Sequence, residues 1–376
     1  MAIKHFTFDP LLTDSFIRFG YEHYQGDNSW IPPLKEDIYK QLSPHYPFYN
    51  KRGNYHRHFL GFAGNKVLGR ISAMVNSDLR DEDGTPVGII GFFECVDDFV
   101  IAKELLDAAI GWLHDEHGFM RIWGPMNFDI WHNYRFMTKG FDQKLFYGEP
   151  YNKPYYPDFF ERYGLISKQC WDSIEITQRN VLERMIARGA ERYQMLLNRG
   201  YRFEQFNVRE FSNELRKLHY ILTKSFSGFL GFTPISFEEF EQLFSKLRNA
   251  LNPRLFVFIY DENNILAGFA VALLELSDAI RSMNGKDSLM SKLRFIYNQR
   301  RVNRINLYAG GIIPEEMAKM SGLGRAEFYY IIQQILNEGY RNVIIALMAR
   351  HNKVHGFFGK YAKEIQREYA LYELSL

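Results

Sequence analysis

Ile312-Ile313-Pro314, followed after a short gap by Lys319-Met320-Ser321-Gly322-Leu323-Gly324-Arg325, is the stretch that decides how this chain folds. Ile305 to Ile313 before it reads as a strand. After it, Phe328, Ile331, Ile332, Ile335 and Leu336 recur on one face of a helix closed by Gly339. Two glycines one residue apart at a helix start let backbone amides turn toward an anion, and the helix terminus adds partial positive charge. Lys319 and Arg325 would add charge at the rim, with Met320, Ser321 and Leu323 completing the loop. The spacing is neither the Gly-Lys-Ser/Thr of a Walker loop nor GxGxxG, since Phe328 follows where a third glycine is expected nearby. An ordinary strand-to-helix turn would also use two glycines, so the surroundings must decide.

Upstream of the loop, Arg202 to Val208 reads as a strand and Glu210 to Phe226 and Ser236 to Arg248 as helices. Leu255 to Tyr260 and Leu266 to Leu276 form a hairpin across Asp261 to Asn264, and Asn342 to Met348 is a strand after the loop's helix. The first half has the same order. A strand lies near His5 to Phe8, a helix spans Leu11 to Tyr24, and the proline-rich segment from Trp30 to Pro47 is expected to be an extended loop. His58 to Ala63 and Val67 to Val75 flank the turn signal Gly64-Asn65, followed by a strand at Val87 to Val96, a helix from Phe99 to His117 and a strand at Met120 to Trp123. Phe160-Glu161-Arg162-Tyr163-Gly164 answers Phe358-Gly359-Lys360-Tyr361-Ala362, each with an asparagine upstream, Asn152 and Asn352. The matching order argues for a duplicated α+β domain of three layers. The expected units are 1–178, a connector helix over 179–200 carrying Arg184, Arg188 and Arg192 at four-residue spacing, and 201–376.

With 376 residues, 46% hydrophobic and 24% charged, the chain has material for two cores, and a net charge of +2 gives no global field for nucleic acid. The start, Met1 to Pro10, has no apolar signal-peptide region, and Cys95 and Cys170 cannot build a disulfide framework, so a cytoplasmic protein is expected. The apolar run Ile265 to Leu274 stops at Glu275, about half of what a membrane-spanning helix needs. The 33 Phe and 24 Tyr are an excess that aromatic cores or an apolar ligand channel would each explain.

Lys319-x-x-Gly322-x-Gly324 resembles the Gln/Arg-x-x-Gly-x-Gly/Ala loop of the GCN5-related N-acyltransferase (GNAT) superfamily, and Ile312-x-Pro314 resembles the Val-x-Pro that precedes it. The chain also resembles bacterial tandem GNAT-like proteins at Trp30-Ile31-Pro32-Pro33-Leu34, Gly69-Arg70-Ile71, Gly91-Phe92-Phe93-Glu94, Gly124-Pro125-Met126-Asn127 and Tyr151-Asn152-Lys153-Pro154-Tyr155-Tyr156. The resemblance implies tandem GNAT folds with mixed, mostly antiparallel sheets flanked by helices. It implies acyl-coenzyme A as donor on the second half, with the amide near Ile312 or Ile313 polarising the thioester and Asn352 facing the pantetheine. By resemblance to members linked to bacterial ceramide synthesis, it also implies an amine acceptor that extends to sphingoid or other lipid amines. The first half has no glycine pair and carries Asp97-Asp98 where a phosphate would sit, so no coenzyme A is expected there.

Acyl transfer needs a base for the amine and an acid for the departing thiolate. Glu275 and then Glu315 are the base candidates; the alternative for each is a solvated carboxylate at a strand end. The position of the superfamily's tyrosine acid holds Phe358; Tyr361 one helical turn on is either the substitute phenol or a packed core tyrosine, in which case the thiolate leaves to water. Phe226, Phe229 and Phe232, interleaved with glycines, would wall an acceptor channel or pack the halves together. His351 and His355 have helical metal-pair spacing but no evident third ligand, so no metal is expected. The basic run Arg281, Lys286, Lys292, Arg294, Arg300, Arg301 and Arg304 reads as a solvated face, a contact for an anionic membrane surface or a contact for the coenzyme's 3′-phosphate. A non-catalytic acyl-coenzyme A binder and an aminoacyl-tRNA transferase of the same tandem fold are the rival readings.

Overall fold

A computed structural model describes the chain except for residues 144, 147, 246, 247, 249, 250, 352–354 and 356–366. In the first half, β1 (Ala2–Phe6) leads to helix α1 (Pro10–His23), which starts because the Asp9 carboxylate accepts from the Leu12 amide at 2.9 Å with Pro10 in the first turn. Then come α2 (Lys35–Gln41), α3 (Pro47–Asn50), β2 (Tyr55–Ala63), β3 (Lys66–Arg80), β4 (Pro86–Cys95), α4 (Phe99–Gly111), β5 (Arg121–Gly124), β6 (Phe136–Lys139), α5 (Tyr156–Tyr163) and β7 (Ile166–Ile176). The proline-rich segment is thus not all extended. No proline falls between Pro33 and Pro44, and Glu36 and Asp37 favour the first turn of α2.

The connector α6 (Arg179–Asn198) opens the second series: β8 (Arg202–Gln205), α7 (Phe211–Phe226), α8 (Phe237–Phe244), β9 (Phe256–Tyr260), β10 (Leu266–Leu274), α9 (Ser277–Arg281), α10 (Leu289–Gln299), β11 (Arg304–Ile312), α11 (Pro314–Ala318), α12 (Leu323–Asn337), β12 (Asn342–Ala349) and β13 (Arg367–Ser375). The order of elements repeats between halves, as the sequence predicts.

The strands form one continuous sheet, β1-β2-β3-β4-β5-β13-β7-β12-β11-β10-β9-β8, with β6 against β13. Its centre is an exchange. β13, the last strand of the second half, pairs with β5 of the first (Tyr372↔Gly124), while β7 of the first half pairs with β12 of the second (Ile345↔Ile174). Chain halves and sheet halves therefore do not coincide.

Helices cover both faces. On one side of the second half α12 and α6 bury Ile331, Ile332, Ile335, Leu182 and Ile186 against Ile305 and Val343, each side chain contributing about 1.5–3 kcal/mol by leaving water. On the other, α7 and α8 pack Leu218, Ile221 and Phe240 over Phe256, Phe258 and Phe269. Much of the aromatic excess sits in cores of this kind.

Candidate functional site

β11 and β12 run parallel and stay paired only from Arg304/Asn342 to Leu307/Ile345. Beyond that point each carries an extra residue. Tyr308 is unmatched between Leu307 and Ala309, which face Ala272 and Val271 of β10, and β12 has a surplus residue between Ile345 and Met348 against β7. Bulges bend strands and re-aim side chains, so the two strands diverge into a crotch.

One limb of the crotch is an open strand edge. The Ile313 amide donates to the Ala267 carbonyl at 3.0 Å. By antiparallel alternation this makes Gly268/Ile312 a non-hydrogen-bonded pair, so the N–H and C=O of Ile312, and of Gly310 two residues earlier, point away from β10 toward the gap. Of the two amides predicted to polarise a carbonyl, Ile312 is thus turned to the crotch. Ile313 is corrected: its amide serves the sheet, and its side chain is buried in the α7 core.

The open edge leads into the glycine loop. Gly322 sits at φ +81° as the N-cap of α12, a left-handed conformation that glycine adopts without strain. Gly324 is exposed on the first turn, and a β-carbon there would meet only Ile312 Cδ1, at 3.4 Å. Ser321 is buried with its hydroxyl accepting from the Leu323 amide at 3.2 Å, so that amide is occupied, while Met320 projects into solvent. Lys319 is corrected as the rim cation. Its ammonium lies 2.8 Å from both Asp261 and Glu316, whose hydrogen bonds push its pKa up and hold it toward the β9–β10 turn. The charge at the cradle comes instead from Arg325, which is exposed, and from the connector helix. α6 crosses α12 where Gly189 has no room for a β-carbon (the Arg325 carbonyl would stand 2.7 Å away), and this lays Arg192 over Gly322.

Two polar side chains near the crotch carry no signal in the sequence. Glu327 of α12 is buried, with Oε1 2.6 Å from where a Gly310 β-carbon would be, and burial raises its pKa well above the usual carboxylate range. Asn306, just before the crotch on the α7 face, is buried with Oδ1 lacking a hydrogen-bond partner. Neither occupies a recognisable motif; only the fold brings them to β11.

The structure separates the two predicted bases. Glu275 lies past the far end of β10, where Leu274 pairs with Ile305 while Gly268 pairs with Ile312, roughly 23 Å from the loop at strand rise. It is buried, pairs with Arg304 at 3.2 Å and accepts from the Ser277 amide and hydroxyl at 2.9 and 2.8 Å. Arg304 also binds Glu175 of β7, so Glu275 belongs to a network tying strand ends. Glu315 is exposed at the loop rim, 3.5 Å from Lys224, with its pKa lowered by its own backbone amide first and by Lys224 after. Asn352, Phe358 and Tyr361 lie outside the described residues.

Phe226 stacks on Phe229 at 4.6 Å beside Phe269, on the face where Ser225 meets Gly311 of the open limb. Phe232 packs on Trp131 of the first half, and the Trp131 indole donates to the Thr233 carbonyl at 2.8 Å. One loop thus both flanks the crotch and joins the halves. A first-half segment also reaches the crotch, with Gly148 close to the Tyr308 ring. His355 Nε2 lies 2.6 Å from Asp172, and among the described residues no group of three or more His, Cys, Asp or Glu is placed to hold a metal.

The first half has the same bulge and fills it. Phe92, at φ +49°, is the extra residue of β4, and β4 pairs with β5 only at Gly88/Ile122 and Ile89/Trp123. The Met126 amide then donates to the Ile90 carbonyl at 2.8 Å and Asn127 Oδ1 accepts from the Phe92 amide at 2.8 Å, so the chain's own backbone occupies this gap. Asp98 caps α4, accepting from Val100 at 2.9 Å where the second half has its glycine loop.

A tandem GNAT protein from the clavulanic acid biosynthesis pathway has this architecture, with a TM-score of 0.52 at 11% identity over 99% of this chain and 98% of that one. The fold is the tandem GNAT fold. A conserved protein of Enterococcus faecalis V583, described as a probable N-acyltransferase, is similar to this tandem GNAT chain with a TM-score of 0.52 at 8% identity, over 99% of this chain and 72% of that one. In sequence, Protein YghO of Escherichia coli (strain K12) is 25% identical over 279 residues, 72% of this chain and 68% of that protein. The bacterial ceramide synthase of Caulobacter vibrioides (strain NA1000 / CB15N) is 27% identical over 271 residues, 69% of this chain and 66% of that protein. No protein-family profile matches the chain.

Proposed function

We propose that this tandem GNAT protein is an acyl-coenzyme A-dependent N-acyltransferase whose donor binds the second half and whose acceptor is an amine, extending to lipid amines. The observation that carries the proposal is the open limb of β11, with Gly310 and Ile312 turned to the gap, ending against the glycine N-terminus of α12, where Gly324 lies beside Ile312 after the intervening α11. The amides of a pantetheine arm would pair with that limb as an added strand. Its diphosphate would meet the first turn of α12, with Arg192 and Arg325 at hand. The Ile312 amide would polarise the thioester carbonyl. Attack of the amine nitrogen on that carbon forms the amide bond and breaks the carbon–sulfur bond; one amine proton is lost, and the thiolate leaves as such or takes a proton. Glu327, a buried carboxyl against Gly310 of the limb, is the proposed proton-transfer group, in place of Glu275. The similarity to a protein named bacterial ceramide synthase supports a long-chain acceptor.

Calorimetric titration with acetyl-, palmitoyl- and free coenzyme A tests the donor. Absence of heat with all three would remove the reading. Thiol release with a panel of amines then distinguishes an enzyme from a binder.

We also propose contact with an anionic lipid surface through α10. Leu289, Met290, Leu293, Ile296 and Tyr297 are exposed on it, beside Arg294, Arg300 and Arg301. Arg304 is withdrawn from the basic run by its buried carboxylates, and Lys292 and Arg281 face Asp287 and Asp278. The apolar residues with the remaining cations fit a helix lying in a lipid interface. Among the described residues no helix is long and apolar enough to cross a membrane.

A further inference from the structure

Arg135 is a buried cation that lacks the partners burial normally demands. It is only 8% exposed, its Nε and Nη1 are buried without a hydrogen-bond partner, and its backbone is at φ +70°. Its guanidinium is held between two aromatic rings, 3.8 Å from the Tyr134 centroid and 4.3 Å from that of Trp171, and no carboxylate pairs with it among the described residues. Cation–π contact offsets only part of the cost of taking an unpaired cation out of water. A buried polar group without a partner calls for an explanation, and a bound group that completes it is one.

Its place in the fold says what that is. Trp171 pairs with Ala349, the end of the β12 limb of the crotch, and packs with Tyr134, Leu230 and Leu347 in one cluster. The glycine loop lies beside the end of the other limb, at Ile312 of β11, so the diphosphate end of a donor would lie away from Arg135. Asn306 Oδ1, on the same sheet face as Trp171, is an acceptor suited to an amine N–H.

We propose that Arg135 binds an anionic group, carboxylate or phosphate, carried by the amine acceptor, so that the substrate is an acidic amphiphilic amine and not a neutral one. This rests on the acyltransferase reading for the word acceptor; the anion site itself does not. The flat guanidinium would bind either oxyanion through charge-assisted hydrogen bonds, selected by the first half of the chain for chemistry on the second.

The test titrates dodecylamine, 2-aminododecanoic acid and O-dodecyl phosphoethanolamine into the full chain without any coenzyme A. The acidic amines should bind at least about 30-fold tighter than dodecylamine, as a buried charge pair allows, and the tighter of the two identifies the anion. Arg135→Met should reduce that preference to within about threefold, with Arg135→Lys keeping part of it. The unliganded Arg135→Met protein should melt no lower than wild type, since the variant removes an unpaired charge. Equal affinity for the three amines in wild type, or an undiminished preference in Arg135→Met, would overturn the proposal, as would a lowered melting temperature with affinities unchanged. Selective binding without thiol release from acyl-coenzyme A would leave the Arg135 site standing and remove the transfer reading.

Discussion

Arg192 lies across Gly322, its Cδ 2.8 Å from where a β-carbon on that glycine would stand. The connector between the halves is thus part of the wall of the glycine loop, and the two glycines of the loop are not equivalent.

Gly322→Ala places a side chain at φ +81° and into Arg192, and should cost about 1–2 kcal/mol of stability together with loss of donor binding. Gly324→Ala meets only the tip of Ile312 and should change stability by less than about 0.5 kcal/mol. Thermal melts and coenzyme A titrations of both variants check the contrast; equal effects would mean the loop is an ordinary turn.

Arg192→Met keeps the packing over Gly322 and removes the charge. Coenzyme A affinity should fall about tenfold and depend less on salt, while the melting temperature stays within a few degrees. An unchanged affinity would leave Arg325 alone at the cradle.

Glu275→Gln should behave as a stability variant. Breaking the Glu275–Arg304 pair, both members of which are largely buried, should cost on the order of 2 kcal/mol in a denaturant melt. Turnover per folded molecule should hold near wild type. A selective collapse of turnover with normal stability would return Glu275 to the list of bases.

The raised pKa of Glu327 fixes a sign. In the unfolded chain this carboxyl ionises at its ordinary value, whereas the folded protein keeps the proton to higher pH because the site is desolvated. The folded state therefore binds more protons over that window, and stability falls as pH rises through it. Glu327→Gln should be no less stable than wild type at acidic pH and more stable at pH 8, with turnover reduced at least about tenfold if it carries the proton. Parallel pH–stability curves for the two proteins would show that Glu327 ionises normally.

Vesicle co-sedimentation tests α10. Binding to vesicles with an anionic lipid fraction should exceed binding to neutral ones, fall with salt, and weaken in Leu293→Asp/Ile296→Asp by at least about tenfold. Equal recovery with neutral vesicles, or no effect of the double substitution, would leave α10 a solvated face.

What was legible in the sequence is what neighbouring residues decide. The hairpin at Gly64-Asn65, the amphipathic α12 and its glycine turn, and the repeated order of elements all follow from short-range pattern. Neither 166–176 nor 367–375 is read as a strand from the sequence, and local pattern names no distant partner, so the exchange of β7 and β13 was not readable. Lys319 looked like a phosphate ligand because its place in the loop is local, while the carboxylate that claims it, Asp261, arrives from the β9–β10 turn. The spacing of Arg184, Arg188 and Arg192 was visible, but only the close crossing at Gly189 chooses Arg192. Arg135 has no motif at all; its meaning is the absence of a partner, which only tertiary structure reveals.

The strand exchange has a consequence for biosynthesis. β13 is needed between β5 and β7, so a ribosome that has released the whole first half still exposes the edge of β5 until Arg367–Ser375 has been made. Neither half on its own completes its sheet, because each lacks the strand that the other supplies. Until β13 arrives, β5 presents an unpaired strand edge, the feature through which chains associate wrongly.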